Sequence, residues 1–326
     1  MQILRTTLIA DEAQAADGVT NFDLPVNPLS CILFTVKAAN DTGTIANYSF
    51  VSALLAMITN LNIRYRGATI VDGSLADLAV LNSILTGWSP WQSNVNSTNN
   101  DVRCITVPIC FGRVPYSSKE CFPATRRGDL ILQTTNDVAV TGADTLILQA
   151  ETVELLDATP EQFIKYTTTS KVFNATGEHD IELPIGNDLL GVLLQGPVTP
   201  TGASFNATFG KVKMQVDNVE ALYSEANWET LHGELLRRIG SVIGLQGHTH
   251  GFDDAAAGAT FTRQQEMDLA ITDGYAYMDL DPLKDGSYAL KTAGAARVNL
   301  RPNCETASAT AMRVLPVELV KLGAPA

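Results

Sequence analysis

The chain has 326 residues, 45% of them hydrophobic, which is the length of roughly two domains with ample material for their cores. Lys and Arg number 22 against 35 Asp and Glu, a formal charge of −13 with an isoelectric point near 4.7. A basic face for nucleic-acid phosphates therefore has few residues to be built from, and direct contact with nucleic acid is not expected.

The opening MQILRTTLIADEAQAA is interrupted by Arg5 and Asp11, so it is not expected to be an export signal. No run reaches the roughly 18 to 20 apolar residues that a membrane span needs, and the chain is expected to be soluble before any assembly. FDLPVN at 22–27 recurs as IELPIG at 181–186: apolar, acid, Leu, Pro, aliphatic, small. Pro cannot donate to a ladder, so in both places it marks a turn between two strands. The strands that follow, LSCILFTVKAAN (29–40) and DLLGVLLQG (188–196), read as buried on both faces. NYSFVSALLAMITNLN (47–62) reads as an extra helix of the first half. LNIRYRGATIVDG (61–73) and GKVKMQVDNVEALYS (210–224) each read as strand, turn, strand.

A helix follows in each half. Residues 74–86 start at Ser74, with Asp77 at capping-box spacing, place Leu75, Leu78, Leu81 and Leu85 on one face, and stop at Gly87. Residues 227–239 start at Asn227, place Trp228, Leu231, Leu235 and Ile239 on one face, and stop at Gly240. Closing strands are expected at 103–112, 128–135 and 144–156, then at 275–280, 295–300 and 309–322. The matched segments lie 159 (22 to 181), 153 (74 to 227) and 164 (153 to 317) positions apart, and an offset this constant argues for tandem duplication. DATPEQF (157–163) is the natural linker, giving domains at 1–160 and 161–326. GPVTPTGASFNATFG (196–210) reads as a turn-rich loop. GLQGHTHGFDDAAAGATF (244–261) is expected to be an exposed, non-catalytic loop at the outer end of the second unit, mirroring the polar segment 89–101.

Many short strands with a few inserted helices, repeated in tandem, predict an all-β chain of two jelly-roll β-barrels. The succession LPVNPLSCILFTVKA, NYSFVSALLAMITNLNIRYRG and DGSLADLAVLNSILTGW, within residues 22–88, resembles the major capsid proteins of tailless, membrane-containing icosahedral bacteriophages, particularly the Finnlakevirus-like group. The resemblance implies two upright jelly rolls per chain, a homotrimer of pseudo-hexagonal outline, and trimers tiling an icosahedral virion shell around an internal lipid vesicle. Its implied partners are neighbouring capsomers, penton and minor capsid proteins, and the internal membrane. Its implied location is the virion capsid, after synthesis in the host cytoplasm. The vesicle would separate such a shell from the genome, which agrees with the acidic charge.

The chemistry of the sequence is sparse. No phosphate loop, GxSxG elbow or HExxH motif is present, and no enzyme activity, catalytic residue, metal or cofactor is expected. The five cysteines (31, 104, 110, 121, 304) include no CxxC pair and are expected to be buried and reduced. Of the four histidines (179, 232, 248, 250), His232 is expected to pack beside the second helix's stripe. In an extended segment His248 and His250 would point to one side, with Asp253 or Asp254 near, which suits a metal shared in the cupin manner or held on a trimer axis, although no later His follows as in cupins. DLDPLKDG (279–286) gathers Asp279, Asp281 and Asp285 in a turn suited to Ca²⁺, without EF-hand spacing. The alternative to a structural shell protein is thus a cupin-like metal-dependent enzyme or a carbohydrate-binding jelly roll.

Overall fold

A computed structural model describes residues 2–15, 17–40, 51–87, 91–93, 102–137, 143–200, 206–221, 223–239, 251–252, 262–263 and 271–323. The first half contains β1 (Gln2–Gln14), β2 (Asp17–Asp23), β3 (Leu29–Asn40), α1 (Val51–Ala56), β4 (Ile58–Tyr65), β5 (Ala68–Gly73), α2 (Leu75–Thr86), β6 (Trp91–Ser93), β7 (Val102–Cys110), β8 (Leu130–Asp137) and β9 (Ala143–Leu156). The second contains β10 (Gln162–Thr167), β11 (Thr169–Phe173), β12 (Gly177–Glu178), β13 (Ile181–Leu183), β14 (Asp188–Gln195), β15 (Phe209–Val216), β16 (Val219–Glu220) and β17 (Ala226–Asn227). It continues through α3 (Trp228–Ile239), β18 (Gly251–Phe252), β19 (Thr262–Arg263), β20 (Tyr275–Asp279), β21 (Val298–Cys304) and β22 (Ser308–Lys321).

The ladders run in the same order twice. One sheet of the first half is β1-β9-β3-β7-β6 and the facing one is β2-β8-β4-β5; in the second half β11-β22-β14-β20 faces a sheet in which β12 and β13 pair β21, followed by β15 and β16. β2 and β13, which carry the repeated FDLP and IELP, thus occupy equivalent places, pairing antiparallel with β8 and β21. This is the two-jelly-roll architecture expected. A single parallel pairing, Tyr166↔Val71 and Thr167↔Asp72, joins β10 to β5, so one sheet of each barrel runs into the other.

The repeat extends to local chemistry. Arg66 and Gly67 between β4 and β5, and Asp217 and Asn218 between β15 and β16, all have positive φ, the two-residue turn that suits the twist of a hairpin. Asn27 Nδ2 donates to Glu154 Oε2 at 2.7 Å, and Asn187 Nδ2 donates to Glu318 Oε2 at 2.7 Å. Each glutamate is buried, so its carboxylate needs that donor. Opposite each lies a bulge, between Leu29 and Cys31 and between Leu189 and Gly191. The repeated Leu-Pro phrase therefore delivers an asparagine to the last strand of its own barrel.

Two cores result. Ile32, Phe34, Val36, Ile105, Val107, Leu146 and Leu148 line the first, and Ile181, Val192, Phe209, Met214, Met278 and Leu300 the second. β14 serves both: Leu189, Val192 and Leu194 face the second core while Leu190 and Leu193 join the first. Burial on both faces is therefore right for β14. It is wrong for β3, where from Ile32 onward buried residues alternate with half-buried Leu33, Thr35 and Lys37, because that outer face has no second barrel against it within the chain.

The predicted helix at 47–62 is replaced, over its described residues, by the short α1 and by β4, whose ITNLNIRY is claimed by pairing with β8 and β5. α2 is capped as expected: Ser74 Oγ accepts from the Asp77 N–H at 3.2 Å, and Gly87, at φ 74°, donates to the Ser83 carbonyl at 2.9 Å. The single apolar stripe expected for it is corrected, because Asp77, Ala79, Val80, Asn82 and Ser83 are buried together with the leucines. α3 does show the stripe, with Trp228 and Leu231 in the second core and Leu235 and Ile239 in the first. Gly240, most of 244–261 and most of 89–101 lie outside the described residues.

Candidate functional site: the seam and the equivalent outer face

α2 lies at the seam between the halves, and its one acid makes the main polar contact there. Asp77, fully buried, accepts from Arg313 Nε at 2.7 Å, from Arg313 Nη2 at 2.8 Å and from the Tyr275 hydroxyl at 2.6 Å. Burial works against the charge of Arg313, and Asp77 outweighs it, raising the guanidinium above its ordinary value. Tyr275 is pushed up by burial and then by the Asp77 charge. The clasp is thus a carboxylate satisfied by three donors, the condition under which a buried ion pair is tolerated.

A second tie lies nearby. Arg113, buried, donates to both oxygens of Glu120 and, through Nη1 at 2.5 Å, to Asp281 across the seam. Burial opposes the charge of Glu120, but Arg113 prevails and holds the carboxyl below its usual range. Lys284 Nζ caps the end of α2 by donating to the Leu85 carbonyl at 2.5 Å. Asn82 fixes the helix to β7, its Oδ1 accepting from the Cys110 N–H at 2.8 Å.

Aligning the Leu29–Glu154 rung on Leu189–Glu318 superposes the two outer faces. Thr35 pairs with Gln149 and with Thr106; Gln195 pairs with Arg313 and with Tyr275. The places held by Arg313 and Tyr275 in the second barrel are therefore held by Gln149 and Thr106 in the first. Around them, in the first barrel, Lys37 pairs with Asp11 at 2.6 Å, Gln149 donates to Asp11 at 2.8 Å, Thr35 and Thr106 share a hydrogen bond at 2.8 Å, and Arg5 pairs with Glu151. This face is polar and half-exposed, where its counterpart buries Leu193, Leu315 and Tyr275 beside a half-buried Arg313.

The carboxylates of 279–286 are engaged rather than free to gather round a cation: Asp279 pairs with Arg238, Asp281 with Arg113, and Asp285 accepts from Ser287. Burial raises Asp279 above the usual carboxylate range, and Arg238 offsets only part of that. No group of three or more metal-ligating side chains is found among the described residues. His248, His250, Asp253 and Asp254 lie outside them. His232 stacks on Trp228, rings 4.7 Å apart, and its Nδ1 meets the Tyr275 carbonyl at 2.7 Å, the packing role expected. His179 stacks on Phe173 at 4.4 Å. A cleft of about 430 Å³ beside α3 is lined by Tyr223, Glu234, Arg237, Arg238, Asp279 and Pro282, two acids facing two arginines. No helix among the described residues is long and apolar enough to cross a membrane.

Sequence reading missed Asp77, Arg313 and Arg113. The signal for Asp77 was a lone acid inside the apolar SLADLAVL, set aside as a capping residue. The Asn–Glu ties were written in the repeat itself, as LPVN with VEL and LPIGN with VEL.

No protein-family model matches the sequence, and none of the curated proteins does. Solved structures do match in fold, over nearly the whole chain. The STIV MCP aligns with a TM-score of 0.67 at 14% identity, over 98% of this chain and 97% of that one. The atomic structure of Sulfolobus Turreted Icosahedral Virus gives 0.68 at 15%, over 98% and 91%. The major capsid protein from bacteriophage PM2 gives 0.60 at 11%, over 99% and 98%. The chain thus has the double jelly-roll fold in which these viral coat proteins are built.

Proposed function

We propose that this chain is a structural protein, the major capsid subunit of an icosahedral virion, divided into barrels at about residues 1–160 and 161–326. Three copies form a capsomer of pseudo-hexagonal outline, and capsomers tile a shell around an internal membrane, meeting penton and minor proteins at its special positions. No catalytic role is assigned to it. The fold shared with viral capsid proteins over full length supports the shell reading.

The observation that carries the trimer is the matched replacement at the two outer faces. Within the chain, the outer face of barrel two docks on α2 through Asp77 with Arg313 and Tyr275. Starting each helix from its first capping position sets Thr230 of α3 where α2 has Asp77, and Thr230 is exposed. On the facing sheet, Gln149 and Thr106 stand for Arg313 and Tyr275. Acid and base are replaced together by neutral polar groups, which is expected if α3 of one protomer meets the outer face of barrel one of the next. Each of three chains then repeats between subunits the contact it makes within itself, closing a ring of six similar barrels.

Native mass measurement tests this directly. A trimer is expected for the natural chain, and Thr230→Arg is expected to yield folded monomers that melt lower than the natural trimer and without its dependence on protein concentration. A monomer or dimer persisting at high concentration would sink the reading, as would a trimer indifferent to Thr230→Arg. Electron microscopy of the trimer should show a six-lobed outline.

A further inference from the structure

β3 and β7 set two thiols directly opposite each other. Cys31 and Cys110 are register partners, both fully buried, and with Val153 they form a small cluster separate from the barrel core. The neighbouring rung identifies the kind of pair. Phe111 N–H donates to the Ser30 carbonyl at 3.0 Å, so residues 30 and 111 form a hydrogen-bonded rung, and the adjacent Cys rung is of the non-hydrogen-bonded kind. In keeping with that, the Cys110 N–H donates to Asn82 at 2.8 Å and its carbonyl accepts from the Tyr166 hydroxyl at 3.1 Å, both away from β3. Non-hydrogen-bonded rungs bring Cα atoms to about 4.5 Å, inside the range of about 4.4–6.8 Å that a disulfide spans.

Two of the other thiols differ. Cys121 is pushed up to about 11 by burial, and burial also raises Cys304. Within the pair, the hydrogen bond from Cys110 holds the Cys31 thiol below its ordinary value against burial, while Cys110 is raised. Cys31 is therefore the attacking sulfur and Cys110 the resolving one. The corresponding rung of barrel two, Gly191 opposite Asp279, has no thiol.

We propose that Cys31 and Cys110 are a latent cross-strand disulfide, closed by a small peroxide once the protein leaves reducing conditions, which staples β3 to β7 in the first barrel alone. The Cys31 thiolate attacks one peroxide oxygen, breaking the O–O bond; the departing hydroxide takes the thiol proton and leaves as water, and Cys31 becomes a sulfenic acid. The Cys110 sulfur then attacks the sulfenic sulfur, forming the S–S bond and expelling the hydroxyl with its own proton as a second water. Two thiols lose two electrons and two protons, and the peroxide is reduced to two waters. Full burial favours an oxidant of this size, admitted by local opening, over a bulky disulfide reagent.

The proposal rests on barrel geometry and is independent of the capsid reading, so the soluble chain suffices to test it. Purified reduced protein is treated with hydrogen peroxide, denatured with an alkylating agent present, and mapped without reductant. A peptide linking Cys31 to Cys110 is expected, with the melting temperature raised by about 5–10 °C and restored by a thiol reductant. Cys31→Ser and Cys110→Ser are expected to melt like the reduced protein and to show no rise. Recovery of Cys31 and Cys110 as separately alkylated or over-oxidised residues in the natural chain overturns the proposal, whether or not the serine variants fold, and so does a link that lowers the melting temperature.

Discussion

The sheets β1-β9-β3-β7 and β11-β22-β14-β20 share an inner face and part company on the outer one. Inward, both present an apolar set to their own core, interrupted by the buried Thr152 and Glu154 in the first and Glu318 in the second. Outward, the rung pairing Leu33 with Glu151 in the first barrel corresponds to the rung pairing Leu193 with Leu315 in the second. Leu193 and Leu315 are fully buried against the first half, whereas Leu33 and Glu151 remain half-exposed. The helices differ in the same sense, α2 buried all round and α3 only along its stripe. The two halves share one barrel plan and differ in what covers its outer side.

The strongest way to break this contrast is to attack the clasp that only the seam has. Asp77→Ala leaves the half-buried Arg313 guanidinium and the buried Tyr275 hydroxyl without their shared acceptor, three hydrogen bonds lost together, and is expected to cost about 3–5 kcal/mol, read from denaturant unfolding. An unfolding midpoint close to that of the natural chain would show the seam to be held by apolar contact alone. Next in size is one substitution made twice: Leu193→Ala should cost about 2–5 kcal/mol, and Leu33→Ala less, about 1–2 kcal/mol in the isolated chain, because part of its side chain is already in water. Equal losses would contradict the difference between the faces.

The Asn–Glu ties sharpen the comparison from the inner side. Asn27→Ala and Asn187→Ala each remove a donor from a buried carboxylate, at about 1–3 kcal/mol. The loss should be greater for Asn27, since Glu318 keeps Lys165 at 2.8 Å while Glu154 retains only a long contact from Thr152 at 3.4 Å. The smallest effect concerns acid. Burial opposes ionisation of Asp188, yet Lys321 and Lys291 prevail and hold it below the usual carboxylate range. A depressed carboxylate contributes stability that is complete above its unfolded value and is lost as pH falls through the folded one. Thermal melts taken from pH 5 down to pH 2 should therefore decline less steeply for Asp188→Asn than for the natural chain.

These contrasts also show which parts of the structure could be read from sequence. Strand order, the hairpin turns, the capped α2 and the striped α3 were visible because local chemistry and period decide them, and the repeat doubled each signal. β3 and β14 looked alike because CILF and LLGVLL are both apolar, and only the FTVKA continuation of β3, with Thr35 and Lys37 alternating, carried the sign of an open face. ITN read as helix because it continues the apolar run of SALLAM, and it joins β4 because β8 and β5 pair with it on either side. Asp77 and Arg313 are 236 residues apart, a distance over which no local pattern operates.

The first core includes Phe163, Ile164, Tyr166, Leu315, Val317 and Leu319. In a chain made from its N-terminus, those last three residues emerge long after the strands they cover. Barrel one can gather its own strands early, but the wall that shields it from water arrives only with β22. Closure of barrel one therefore waits on a strand made after barrel two, and a polypeptide arrested anywhere before residue 315 would carry an open apolar seam for chaperones to hold.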